Sequence, residues 1–203
     1  MAIVIDISSR TTAKVGCTLK TAERLAILNA MNPQLILENI GVEDQFPIDI
    51  AGIIKALGIK ILPYDFSKME QSAEYAKYVL QNGRILGAVT ATDDAIGIFY
   101  KKDDRPNRIR FTLAHELGYC CLHMRPYSYN SHVDYRTSEK AQEGMEYDAN
   151  VFAGELLMPE DAVVYAQKNL VIPYLRSLSK IFGVSDVVMK ARLDYLGLKY
   201  ISN

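Results

Sequence analysis

The strongest constraint on this chain is the run Arg110-Phe111-Thr112-Leu113-Ala114-His115-Glu116-Leu117-Gly118-Tyr119-Cys120-Cys121-Leu122-His123. Ile109, Leu113, Leu117 and Cys120 or Cys121 recur at helical spacing, so the stretch must lay one stripe on a core. Phe111, His115 and Tyr119 then share a different face, which looks into a cleft. His115-Glu116-Leu117-Gly118 also begins the pattern H-E-x-x-H. In that pattern two histidines one turn apart bind zinc and the glutamate activates water. The fifth position here is Tyr119.

Catalytic zinc takes three protein ligands and a water. Tyr119 lies on the correct face, but a phenol with an ordinary pKa near ~10 is a poor ligand unless the metal removes its proton. Cys120 and Cys121 are chemically better and geometrically worse, pointing roughly 140° and 120° away from His115 at about 100° per residue. His123 returns to within about 80° of His115 but sits about 12 Å further along the axis, too far for the same metal sphere. The run supplies one good ligand, one good base and one doubtful ligand.

Composition closes off several classes. With 203 residues, 49% of them hydrophobic, the chain can bury a sizeable core as one domain, or one with a small appendage. A formal charge of −1 gives no pull toward nucleic acid, so direct DNA binding is not expected. No apolar run approaches ~18 residues, so no membrane span is expected. The start lacks the basic and apolar regions of a signal peptide. Three cysteines, two of them adjacent, make no disulfide framework, and a reducing cytoplasm is the expected compartment.

The order of elements reads as α+β. Thr21 caps a helix over Ala22–Met31, and a second covers Gln34–Asn39, closed by Gly41. Asp49 caps Ile50–Leu57 with Gly58 just past its end. Ile59–Leu62 is a strand stopped by Pro63. Ser72–Leu80 is helical, and Arg84–Thr90 and Ala95–Lys101 are strands joined by Thr92-Asp93-Asp94. Asn107 caps the motif helix, which Pro126 stops. A polar loop holding His132 follows, and Thr137 or Ser138 opens a long helix through Leu157. Ala141, Met145, Ala149, Phe152 and Leu156 form its core stripe, while Glu146, Asn150 and Ala153 lie on another face. Ala162–Asn169, Pro173–Phe182 and Asp186–Leu196 are helices, the last two joined by Gly183-Val184-Ser185 in a helix-turn-helix outline.

Several of these blocks together resemble the ImmA/IrrE family of metallopeptidases. They are Pro47-Ile48-Asp49, the run Arg110–Gly118, Leu122-His123, Glu146–Ala153, Leu156–Pro159, Phe182–Ser185, Arg192-Leu193 and Leu196–Leu198. The resemblance spans roughly residues 46 to 198. It implies a zincin-like core at 46–160, a helical extension at 1–45 and a helical subdomain at 161–203. It implies zinc as cofactor, with His115 as first ligand, Glu116 as general base and Glu146 as third ligand. Tyr119 stands at the second ligand position and departs from the pattern. His132 and Asn150 are further candidates for the site.

An intact member would hydrolyse a partner repressor of the Xre helix-turn-helix type. The alternative is a non-proteolytic toxin or binding module of a toxin–antitoxin or phage regulatory pair, neutralised by such a partner. Three explanations of Tyr119 stay open: natural loss of the ligand, a single-base change that silences the activity, or a phenolate ligand. Read blandly, His115-Glu116 is a polar pair on an amphipathic helix, Glu146 a solvated carboxylate, and His123 a helix-end residue bonded to carbonyls. Cys120 and Cys121 read as packing residues.

Overall fold

The computed structural model describes residues 19–65, 86–126 and 139–202, with side chains in the last stretch described from 144 onward. The fold is α+β. Helices α1 (Thr21–Leu28), α2 (Pro33–Ile40) and α3 (Ile50–Ala56) precede strand β1 (Lys60–Tyr64). Strands β2 (Gly87–Ala91) and β3 (Ile96–Lys101) follow, then the motif helix α4 (Pro106–Leu122) and the long helix α5 (Glu139–Leu157). Helices α6 (Glu160–Asn169), α7 (Leu175–Phe182) and α8 (Asp186–Tyr195) complete the described chain.

The strands form one mixed sheet in the order β1-β3-β2. β1 runs parallel to β3, with Lys60 opposite Gly97, and β2 runs antiparallel to it, with Gly87 opposite Tyr100. The central strand is the apolar one, as burial on both sides requires: Ile96 and Ile98 are fully buried. α4 lies across β2 and β3. The strand expected to stop at Pro63 runs through it to Tyr64. β1 is an edge strand, where a missing amide hydrogen breaks no ladder that the sheet needs.

One hydrophobic core gathers residues from all three expected segments. Leu25 and Ile36 come from the first, Ile54 and Leu117 from the second, and Leu178 and Phe182 from the third. Arg110 fastens α4 to the α7–α8 turn, its Nε donating to the Gly183 carbonyl at 3.1 Å. Arg192 Nε does the same from α8 to the end of α5, reaching Met158 O at 3.0 Å.

Helix ends follow the cap chemistry closely where glycine or a short polar residue decides them. Asp49 accepts from the Gly52 amide at 3.0 Å, and Gly41, Gly58, Gly183 and Gly197 all take positive φ. Elsewhere the ends shift. α1 starts at Thr21 with Lys20 as its N-cap and ends at Leu28, short of the expected Met31. The N-cap of α4 lies two residues before the expected cap Asn107: it is Arg105, and Pro106 opens the first turn, where its missing amide costs nothing. It ends at Leu122 with His123 as C-cap, before Pro126. Ala153, expected beside Glu146 and Asn150 on a face away from the core, is fully buried. The helix expected over Ser72–Leu80, the start of the strand at Arg84, the cap at Thr137 or Ser138, and His132 lie outside the described residues. No helix among the described residues is long and apolar enough to cross a membrane.

Candidate functional site

The site forms where α4 and α5 press together. Gly118 makes that approach possible: a β-carbon there would lie 3.1–3.2 Å from Phe152 of α5. With no side chain between them, the helices close and α5 presents Glu146 and Asn150 to the polar face of α4. These residues are one turn apart, so both reach the same histidine.

His115 is held at both ring nitrogens. Nδ1 lies 3.0 Å from Asn150 Oδ1, an oxygen that only accepts, which places a proton on Nδ1. Nε2 faces Glu146 Oε2 at 3.3 Å. The other oxygen of the same carboxylate, Oε1, accepts from the Tyr119 hydroxyl at 3.1 Å. Thus Tyr119 reaches across to α5 and closes a His115–Glu146–Tyr119 network. The rings of His115, Tyr119 and His123 step along α4 with centroids 5.6 and 5.1 Å apart.

The charges fit this geometry. Burial pushes His115 toward neutrality, but the bond to Glu146, the charges of Glu116 and Glu146 and the Asn150 contact outweigh it, and its pKa is raised. Glu146 is held below the usual carboxylate range, chiefly by its bond to His115. Glu116 behaves in the opposite way. It is 8% exposed, and burial, with the Glu146 charge adding to it, pushes its pKa up to about 7 even though His115 pulls it down. A carboxyl poised near neutrality suits proton transfer.

His123, the helix-end residue, packs its ring on Tyr119 and places Nε2 3.2 Å from the Met145 carbonyl. Cys120 and Cys121 are buried, and burial drives both thiol pKa values up, Cys121 to about 12. They pack as neutral thiols.

Two residues beside the site were not signalled by the sequence. Gly87 of β2 lies against the motif helix α4: a β-carbon there would sit 2.5 Å from Thr112 Cγ2 and 2.7 Å from Glu116 Oε1. This glycine lets the edge strand touch the carboxyl and helps to bury it. Asn29 follows α1, and its Nδ2 faces three carbonyls at the end of α4: Cys121 at 2.8 Å, Met124 at 3.0 Å and Cys120 at 3.3 Å. Those are the carbonyls a helix C-terminus leaves without partners. Sequence separations of more than 90 residues hide such a contact, and only the turn-favouring residue type hints at it.

A catalytic zinc centre wants three deprotonated donors. His115 and Glu146 qualify. The phenol of Tyr119 does not in its ordinary state, and here it keeps its proton and donates a hydrogen bond to Glu146. Among the described residues no group of three or more His, Cys, Asp or Glu side chains could hold a metal ion. Among the described residues His115 and Glu146 are the strong donors at this site, with the Tyr119 phenol beside them. Residues 54–194 match the Peptidase_M78 family, described as the IrrE N-terminal-like domain. A comparison with curated proteins gives no match.

Proposed function

Since the chain belongs to the IrrE N-terminal-like domain family of metallopeptidases, we propose that it works on a partner repressor of the Xre type through this site, in a form that binds without hydrolysis. The compartment proposed is the cytoplasm, where such a repressor acts. The observation that carries the reading is the Tyr119–Glu146 hydrogen bond. It occupies, with a neutral phenol, the position where the family resemblance calls for a second histidine ligand. Zinc is the metal that resemblance implies, and among the described residues this site offers it two strong donors rather than three.

A second reading keeps peptidase activity. Two observations favour it. Asn150 orients His115 through Nδ1, as a hydrogen-bond acceptor behind a metal-bound histidine does, and burial pushes the Glu116 pKa up to about 7, suited to a general base. In that reading Glu116 accepts the proton of the attacking water, and zinc, if held by His115, Glu146 and a deprotonated Tyr119, would polarise the scissile carbonyl.

The test mixes an Xre-type repressor from the same genome with the wild-type chain and with Glu116→Gln. Complex formation is followed by calorimetry and repressor integrity by mass spectrometry. Equal affinity with an intact repressor supports the binding reading. Cleavage by the wild type and none by Glu116→Gln would establish the peptidase.

A further inference from the structure

The sequence from α6 to the end of the described chain carries an exposed apolar surface remote in sequence from the His115 network. Val171 is 99% exposed, and Ile172, Tyr174 and Ile201 are also exposed. Such a group of largely apolar side chains marks a contact surface when contiguous. Backbone bonds bring the 172–175 segment and Ile201 together, with Val171 next in the chain. The Leu175 amide donates to the Ile201 carbonyl at 2.9 Å, the Ile201 amide to Pro173 at 3.3 Å, and the Tyr174 amide to Ile172 at 2.9 Å. The loop is therefore pinned, so little ordering entropy opposes a partner.

Charge selects the partner. Beyond the acidic first turn of α6 (Glu160 and Asp161), residues 162–202 contain Lys168, Arg176, Lys180, Lys190, Arg192 and Lys199 against two carboxylates, in a chain whose total is −1. Both carboxylates are engaged: Asp194 by Lys190 at 2.7 Å, and Asp186 by the Ser179 hydroxyl. Lys168, Arg176 and Lys199 are exposed and form no ion pair among the described residues. They border the apolar residues. Gln167 holds the Lys199 carbonyl at 2.8 Å, which brings the end of α6 beside the 199–201 segment. Arg176 follows Leu175, itself bonded to Ile201.

We propose that this cation-rimmed apolar surface docks an acidic, amphipathic segment of a protein partner. Opposite charge at the rim would steer the encounter while the apolar centre holds it. A second copy of this chain would bring the same positive rim against its own, which opposes self-association. Nucleic acid would match the rim but leave Val171, Ile172 and Ile201 without partners. The inference rests on a surface separate from the Tyr119 site, so its failure leaves the reading of that site untouched.

The test titrates the full chain into a labelled synthetic peptide, helical in pattern, with Leu on one face and Glu on the other. Binding is read by fluorescence anisotropy, beside a control peptide with Lys in place of Glu. The variants are Val171→Glu and the pair Lys168→Glu/Lys199→Glu, all at exposed positions, with folding checked by circular dichroism. The expected result is saturable binding of the acidic peptide only, weakened by about tenfold or more in both variants. Absence of saturable binding, or binding that Val171→Glu leaves unchanged, overturns the proposal. So does a wild-type dimer that Val171→Glu dissolves, or binding of duplex DNA that the same variants abolish.

Discussion

Tyr119 and Glu146, 27 residues apart and on different helices, are joined by a 3.1 Å hydrogen bond from phenol to carboxylate. The bond makes partners of two positions that the family resemblance assigns to metal ligands. Glu146 is satisfied at both oxygens without a metal, by Tyr119 at one and His115 at the other.

Removing that bond should be mild and informative. Glu146 is about half exposed, so the charge-assisted gain is screened by solvent. Tyr119→Phe should cost about 1 kcal/mol in urea denaturation, and it should confer no zinc affinity, because phenylalanine offers no donor. A cost near zero would show that the network contributes nothing to the fold.

Glu116 sets a pH dependence. Its folded pKa of about 7 lies above the ordinary 4.5, so the folded state holds the proton that the unfolded state releases. Stability from this group is complete below about pH 4.5 and is lost as pH rises to about 7. Glu116→Gln mimics the protonated carboxyl and escapes the loss. Relative to wild type it should therefore gain stability between pH 5 and pH 8, by up to about 3 kcal/mol. Parallel curves for the two proteins would contradict a raised pKa.

The close approach of β2 to α4 predicts a clash that can be partly relieved. Gly87→Ala places a methyl 2.5 Å from Thr112 Cγ2 and 2.7 Å from Glu116 Oε1, and should cost about 1–3 kcal/mol. Thr112→Ser removes the offending methyl, so the double variant should recover part of the loss, and a double-mutant cycle reads this directly. Strict additivity would mean that the two residues do not meet as described.

Asn29→Ala deprives the end of α4 of its three-way donor, at a cost of about 1–3 kcal/mol. Its signature is local. Amide exchange at His123 and Met124, whose amides bond to the Tyr119 carbonyl at 3.0 and 3.1 Å, should accelerate more than exchange in the sheet. Uniform acceleration would point to global destabilisation instead.

These residues also mark what can be read from a chain before it folds. Asp49, Gly58 and Gly183 announce their helix ends because each satisfies its cap through local backbone chemistry. His115 and Tyr119 were placed on one face by helical spacing, and Glu146 and Asn150 on one face of the next helix. That the two faces meet was suggested only by the family resemblance. Pro63 reads as a stop in the sequence, whereas its tolerance depends on β1 being an edge strand, a property of the assembled sheet. Ala153 was misplaced because at one turn from its neighbours it sits on the boundary of two faces, and contact with the core decides which. Gly87 and Asn29 act through contacts distant in sequence, where no periodicity reaches. His132 lies outside the described residues.

The most direct test of the closed site is the zinc content of the purified chain beside Tyr119→His, measured by mass spectrometry after equilibration with the metal and dialysis. The account predicts a wild-type chain with far less than one zinc and a Tyr119→His chain with about one, its third strong ligand restored. A wild-type chain holding about one zinc through its Tyr119 site would contradict it and bring the peptidase reading forward.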